Sequence, residues 1–243
     1  MKLEKVYSCP SMPWNSKNYR YSSPETVAGL VSIVIPTYNR LKFLEARINE
    51  LLLQTYKDIE IIVVDDYSND GTNDYLQLKR GEDSRIKIIS CQSNSNNVSI
   101  PRNIGISYAK GEFITFADDD VIQFSDKVEV LLNNLNDNNI VVGQRRGHYS
   151  FSWPGNIDTS QFLFRKKLYD NYPYVLTTHA DDFALLNTFR VEPYKIINNT
   201  VCEYLWHENN RTYKASRKTD PVHYHLLLDG MNIMNDVVLI TEH

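Results

Sequence analysis

Three carboxylates stand side by side at Asp118, Asp119 and Asp120. Adjacent anions repel, so a folded chain that keeps them together needs a partner for their charge. Hard carboxylate oxygen suits Mg²⁺ and Mn²⁺, which makes a divalent cation the simplest partner. A solvated acidic turn is the competing reading. Placement favours the cation. Residues 112–116 (EFITF) form a mostly apolar, aromatic run after Gly111 and read as a buried strand that ends in the triplet. In open α/β sheets, ligands collect beyond the carboxyl ends of strands. A second acid pair, Asp65-Asp66, closes another apolar run at 59–64 (IEIIVV).

The elements that position these acids follow from the pattern. Residues 30–36 (LVSIVIP) read as a buried strand, and Thr37-Tyr38-Asn39-Arg40 as a loop. Apolar residues at Leu41, Leu44, Ile48, Leu51 and Leu52 have helical spacing. After the second strand, Asn69 or Asp70 can cap a helix to about Lys79, with Gly81 past its end. A third strand covers 85–90. Ser99 and Pro101 open a helix that ends at Gly111. Strand–helix alternation of this kind predicts a doubly wound, mostly parallel sheet flanked by helices.

Beyond the triplet, Ser125 is expected to cap a helix to about Leu135. Strands are expected at 140–143, 161–165 and 195–197, and helices at 182–189 and about 221–229. The first of these two helices carries a further acid pair, Asp181-Asp182. Neither G-x-G-x-x-G nor G-x-x-x-x-G-K-[ST] occurs, so a nucleotide would be held by side chains and a metal rather than by a glycine-rich cradle.

Composition narrows the partners. A chain of 243 residues with 42% hydrophobic and 23% charged residues suits one domain, or one domain with two lobes. A net charge of −4 without a basic block argues against nucleic acid. Cys9, Cys91 and Cys202 are far apart and odd in number, which indicates neither a zinc knuckle nor a disulfide framework. No apolar run reaches membrane-span length and no signal-like core opens the chain. The expectation is a cytoplasmic protein, soluble or peripheral to a membrane. Asn97, Asn198 and Asn210 each begin an N-x-[ST] triplet, read as chance in an Asn-rich chain.

Five pieces in order, VSIVIPTYNR, EIIVVDDYSNDGT, IPRNIGISYAKGEFITFADDDV, His179-Ala180-Asp181-Asp182 and Trp206-His207, resemble the family 2 glycosyltransferases of the GT-A fold. The likeness covers about residues 30–213. It implies a single α/β GT-A (Rossmann-like) domain over 30–215, with a nucleotide-sugar lobe at 30–120 and an acceptor lobe at 121–215. An irregular lead-in (1–29) and a C-terminal helical extension (216–243) would flank it.

By this resemblance, Thr37, Tyr38 and Arg40 line the base and ribose side. Asp66 accepts from base or ribose, and Arg102 reaches base or phosphates. Asp118, with Asp119 beside it, serves the nucleotide sugar. Asp120 binds Mn²⁺ or Mg²⁺, with His207 as a second metal ligand. Asp182 is the catalytic base of an inverting displacement, and Asp181 caps or orients its helix. From the residues themselves, Arg211, close to His207 in the chain, could contact diphosphate, and Trp153 could stack on a sugar face or equally fill core. The implied donor is a nucleoside-diphosphate sugar, a UDP-sugar first among the candidates. The implied acceptor is a hydroxyl on a glycan, a lipid-linked carrier or a protein.

Other readings fit less well. A haloacid-type phosphatase carries its acid pair on the first strand, with Thr or Val two places after the second Asp, where this chain has Ile122. A nucleotidyltransferase needs a basic, glycine-rich loop where this chain has TYNR. A non-catalytic sugar-nucleotide or glycan-binding protein of the same fold stays open as the alternative, with Asp120 and Asp182 against it.

Overall fold

The computed structural model describes residues 25–146, 159–171 and 194–205. All of them belong to one unit, Met1–Leu205. The lead-in to residue 24, Trp153, Asp181, Asp182, His207, Arg211, the helices expected at 182–189 and 221–229, and the extension from 216 lie outside the described residues.

In chain order the elements are β1 (Val27–Thr37), α1 (Leu41–Leu52), β2 (Ile59–Asp65), α2 (Thr72–Glu82), β3 (Ile86–Ser90), α3 (Ser99–Tyr108) and β4 (Gly111–Phe116). Then come β5 (Val121–Gln123), α4 (Lys127–Leu135), β6 (Ile140–Arg146), β7 (Phe162–Arg165), α5 (Lys167–Asn171) and β8 (Tyr194–Tyr204). A 3-10 turn, Thr159–Gln161, precedes β7. One sheet joins all eight strands in the order β3-β2-β1-β4-β7-β6-β8-β5. Among the described residues, no helix is long and apolar enough to cross a membrane.

The expected parallel order holds from β1 to β4. Beyond β4 the sheet is mixed. Strand β7 runs antiparallel to β4 and β6, β8 runs parallel to β6, and β5 runs antiparallel to β8. The chain goes from β4 into β5 without the crossover helix that parallel pairing of consecutive strands requires.

Because β1 to β4 are parallel, their carboxyl ends share one edge. Thr37 is paired with Asp65, and Asp65 with Ser90. Side chains alternate across β1, so Val31, Ile33 and Ile35 face one core with Leu44, Ile48 and Leu76 from α1 and α2. Val34 faces the other, with Ile104 and Ile106 of α3 and Phe116 and Phe164. Phe116 is completely buried, which stabilises the strand end by roughly 2–3 kcal/mol.

Several boundaries differ from expectation. Strand β1 starts at Val27, whose N–H bonds the Lys110 carbonyl at 2.8 Å. A register shift around Gly29 (φ 77°) hides the alternation there. Gly81 lies inside α2, not past its end. The cap of α2 is Gly71 (φ 91°), and Asp70 beside it accepts from the Thr72 N–H and hydroxyl at 3.2 and 2.6 Å. Gly111 does not end α3, which stops at Tyr108 with Ala109 extended. It opens β4, where a Cβ would lie 2.6 Å from the Ser32 N and Oγ. Helix α4 begins after Asp126, one residue past the expected Ser125. Strand β8 runs for 11 residues, and three-residue β5 is too short to show a period.

Candidate functional site

The acid triplet sits in the turn between β4 and β5, level with the loop that follows β1. A buried ammonium fixes its start. Lys127 is 1% exposed. Its Nζ donates to the Phe116 carbonyl at 2.7 Å and to Gln123 Oε1 at 2.6 Å. The chain is therefore pinned on both sides of the triplet.

Each acid has a different partner. Arg102 Nη2 donates to both oxygens of Asp118 at 2.7 and 2.8 Å. Thr159 Oγ1 donates to Asp118 Oδ2 at 3.0 Å, and the Asp118 N–H donates to Ser160 Oγ at 3.1 Å. Arg40 Nη1 donates to Asp119 Oδ1 at 2.7 Å and to Asp120 Oδ2 at 3.0 Å. Thr37 Oγ1 reaches Asp119 Oδ2 at 3.4 Å. Asp119 is the most enclosed of the three, with an 8% exposed side chain, against 19% for Asp118 and 16% for Asp120.

The electrostatics follow from this enclosure. Burial pushes the Asp119 carboxyl up to about 7, against the Arg40 cation and with help from the Asp120 and Asp118 charges. Burial also opposes the Arg40 cation, but Asp119 and Asp120 outweigh it and hold the guanidinium above its ordinary value. The arginine is thus firmly charged, and the acid is the member of the pair whose charge is costly.

At the end of β2, Asp66 gathers the loop after β3. Ser95 donates to it from its N–H at 3.1 Å and from its hydroxyl at 2.8 Å, and Asn94 Nδ2 donates at 3.2 Å. Asp66 does not cap α2. Burial raises its pKa above the ordinary value, with the charge of Asp65 adding to the effect and the Ser95 bonds opposing it. Tyr38 is 44% exposed and forms part of the rim. The loops after β1 and β2 are tied together, Asn39 N–H to Ser68 Oγ and Asn69 N–H to Asn39 Oδ1, each at 2.8 Å. Asn39 and Tyr67 hold positive φ of 51° and 75°, and for an aromatic residue this is unusual backbone.

The structure brings Thr37, Arg40, Arg102, Asp118, Asp119 and Asp120 together and sets Asp66 at the end of the neighbouring strand. Residues that the pattern did not single out complete the site: Asn94, Ser95, Thr159, Ser160 and Lys127. Only Lys127 left a signal, as a lysine in register with the apolar Val128, Leu131 and Leu135 of α4. Among the described residues, no three His, Cys, Asp or Glu side chains stand together as a ready metal cage. Asp120 still fits a hard divalent cation. Its carboxylate is less enclosed than that of Asp119, and a bound phosphate would have to supply further oxygen.

The sequence model described as glycosyl transferase family 2 matches residues 32–194. The chain is 34% identical over 164 residues, 66% of its length and 63% of the relative's, to the Escherichia coli protein UDP-Glc:alpha-D-GlcNAc-diphosphoundecaprenol beta-1,3-glucosyltransferase WfgD. It is 37% identical over 116 residues to the glycosyltransferase GlyG of Streptococcus pneumoniae, covering 47% of this chain and 38% of that one. The chain thus spans less than two thirds of the length of either relative. Its fold matches Staphylococcus aureus TarS (residues 1–349) in complex with UDP-GlcNAc, with a TM-score of 0.67 and 18% identity over 86% of this chain and 68% of that one. It also matches the Pyrobaculum calidifontis mannosyltransferase PcManGT in complex with GDP-Man and Mn²⁺, with a TM-score of 0.65 and 17% identity over 82% and 63% of the two chains. The fold is therefore GT-A, as expected, with a mixed sheet.

Proposed function

The chain belongs to glycosyl transferase family 2, and we propose that it moves a sugar from a nucleoside-diphosphate sugar to an acceptor hydroxyl by one inverting displacement. The observation that carries this reading is the convergence of Asp66, the Arg102–Asp118 pair and the Arg40–Asp119–Asp120 cluster at the carboxyl ends of parallel strands. That edge suits a ligand with a base at one end and a diphosphate near the acids.

In this reading Thr37, Tyr38 and Asp66 face the base and ribose. Asp118 accepts from ribose hydroxyls while Arg102 holds its orientation, and Asp119 anchors Arg40. Asp120, with His207 as a second ligand, would hold Mn²⁺ or Mg²⁺. When bound, that cation offsets charge on the departing nucleoside diphosphate. Asp182 takes the acceptor proton as the new bond forms. A base opposite the leaving group gives inversion at the anomeric carbon. UDP-sugar donors are supported by the name of the E. coli relative and by the ligand of the TarS complex. A lipid-linked diphosphate glycan is supported as acceptor by the names of that relative and of a Campylobacter jejuni relative, a GalNAc(5)-diNAcBac-PP-undecaprenol beta-1,3-glucosyltransferase.

The test is a panel of UDP- and GDP-sugars, read first as thermal stabilisation with Mn²⁺ and then as release of nucleoside diphosphate. A ligand that binds only the folded state raises its melting temperature. Stabilisation with turnover supports the proposal. Stabilisation without any released diphosphate, with or without lipid-linked acceptor, would instead mark a binding protein.

A further inference from the structure

Arg40 is anchored more tightly than a loop arginine needs to be. It is the N-cap residue of α1, and its carbonyl accepts from the N–H groups of Phe43 and Leu44 at 3.0 Å each. Its guanidinium lies 5.8 Å from the centre of the Phe43 ring. From this base one nitrogen, Nη1, bridges the carboxylates of Asp119 and Asp120. Arg47, two turns along the same helix, is 3% exposed. Its Nη2 donates to Glu50, while its Nε and Nη1 have no hydrogen-bond partner among the described residues. Its charge also acts on Asp119 and Asp120. Arg102 is likewise paired with Asp118, whereas Arg47 is paired with Glu50. The carboxylates of Asp119 and Asp120 thus already share a cationic partner in Arg40.

A divalent cation approaching Asp120 alone would meet Arg40 at the same carboxylate, and like charges this close repel strongly in a half-buried site. A diphosphate changes that balance, because its anionic oxygens compensate both the metal and the arginine. We propose that Arg40 is a resident counter-ion that keeps free divalent cation off Asp120, so that metal enters only together with nucleoside diphosphate. The proposal rests on the donor-binding reading above. It assigns Arg40 a positioning and gating role rather than a catalytic one.

The test is Mn²⁺ binding to the full chain by calorimetry, with and without UDP, for the unmodified protein, Arg40→Gln and Arg40→Lys. Glutamine keeps a hydrogen-bond donor but no charge, and lysine keeps the charge. In the unmodified protein UDP should tighten Mn²⁺ binding by about 100-fold, within the usual range of coupling between sites. Arg40→Gln should bind Mn²⁺ about tenfold more tightly without UDP, with the coupling to UDP reduced by the same factor. Arg40→Lys should behave as the unmodified chain. Unchanged or weaker UDP-free Mn²⁺ binding by Arg40→Gln that binds Mn²⁺ with UDP overturns the gating role and leaves the donor reading standing. Absence of Mn²⁺ binding to every protein, even with UDP, overturns both. Asp120→Asn in the Arg40→Gln background should abolish the gained affinity, and a persistent gain would place the metal elsewhere and overturn the proposal.

Discussion

Arg102 Nη2 sits 2.7 and 2.8 Å from the two carboxylate oxygens of Asp118, joining the middle of α3 to the turn after β4. The guanidinium carbon also lies 5.6 Å from the centre of the Phe116 ring. This pairing makes the arginine a support for Asp118 as well as a candidate nucleotide contact. Arg102→Ala should weaken UDP binding by about tenfold or more and lower stability by about 3 kcal/mol, since it strands a half-buried carboxylate. A double-mutant cycle with Asp118→Asn should give a coupling of about 1–3 kcal/mol. Additive losses would show that the two act separately.

Asp120→Asn should reduce transfer by about 100-fold or more, because a cation held there would supply several kcal/mol of charge stabilisation. Circular dichroism and melting temperature should stay close to those of the unmodified protein, since the change keeps shape and an acceptor oxygen. Undiminished transfer in excess EDTA would remove metal from the scheme.

Asp182→Asn should keep UDP and Mn²⁺ binding while losing about 10²–10⁴-fold in transfer, the usual worth of a positioned base. The product's anomeric configuration, read by NMR coupling constants, should be opposite to the donor's. Retention would exclude the single displacement. Full activity in Asp182→Asn beside an inactive Asp181→Asn would move the base one residue back.

Asp66 gives a pH signature. Burial lifts its folded pKa above the ordinary 3.8, so the folded state holds its proton to higher pH than the unfolded chain does. Its contribution to stability is then fully present below that ordinary value and is lost as pH rises through the raised one. Asp66→Asn removes the titration. The stability difference between the unmodified chain and Asp66→Asn, from urea unfolding, should move against the unmodified chain as pH climbs from about 4. A difference that does not change with pH would contradict this assignment.

Two glycines should respond in opposite ways. A Cβ on Gly111 would sit 2.6 Å from Ser32 backbone and side chain, whereas one on Gly81 meets no atom within 4 Å. Gly111→Ala should cost about 2–3 kcal/mol of unfolding free energy. Gly81→Ala, inside α2, should be neutral or stabilise by up to about 1 kcal/mol.

The sequence was most informative where one element determines its own pattern. The apolar runs of β1, β2 and β4 and the spacing in α1 were legible because burial on the sheet and period 3.6 on the helix each write a local signature. The acids were legible because charge at a strand end has few explanations. What stayed hidden depends on distant partners. Nothing local says that Gly111 opposes Ser32 across the sheet, or that Asp118 is held by Thr159 and Ser160 from beyond β6. Gly111 and Gly81 look alike to a rule that ends helices at glycine, and only packing separates them. The reversal of strand direction after β4 was equally invisible, because β5 is three residues long and its partner β8 lies 70 residues further on.

The position of β4 bears on how this chain leaves the ribosome. It is fourth in sequence yet sits between β1 and β7. Until it has been synthesised and inserted, β1 is an edge strand, and its residues Val31 to Thr37 are all buried in the finished sheet. An apolar, unpaired edge of that length is a template for joining other chains. Nascent chains stalled before residue 116 should therefore be the aggregating species during expression, and slowed synthesis across the Asn-rich stretch at 94–97 would prolong that exposure.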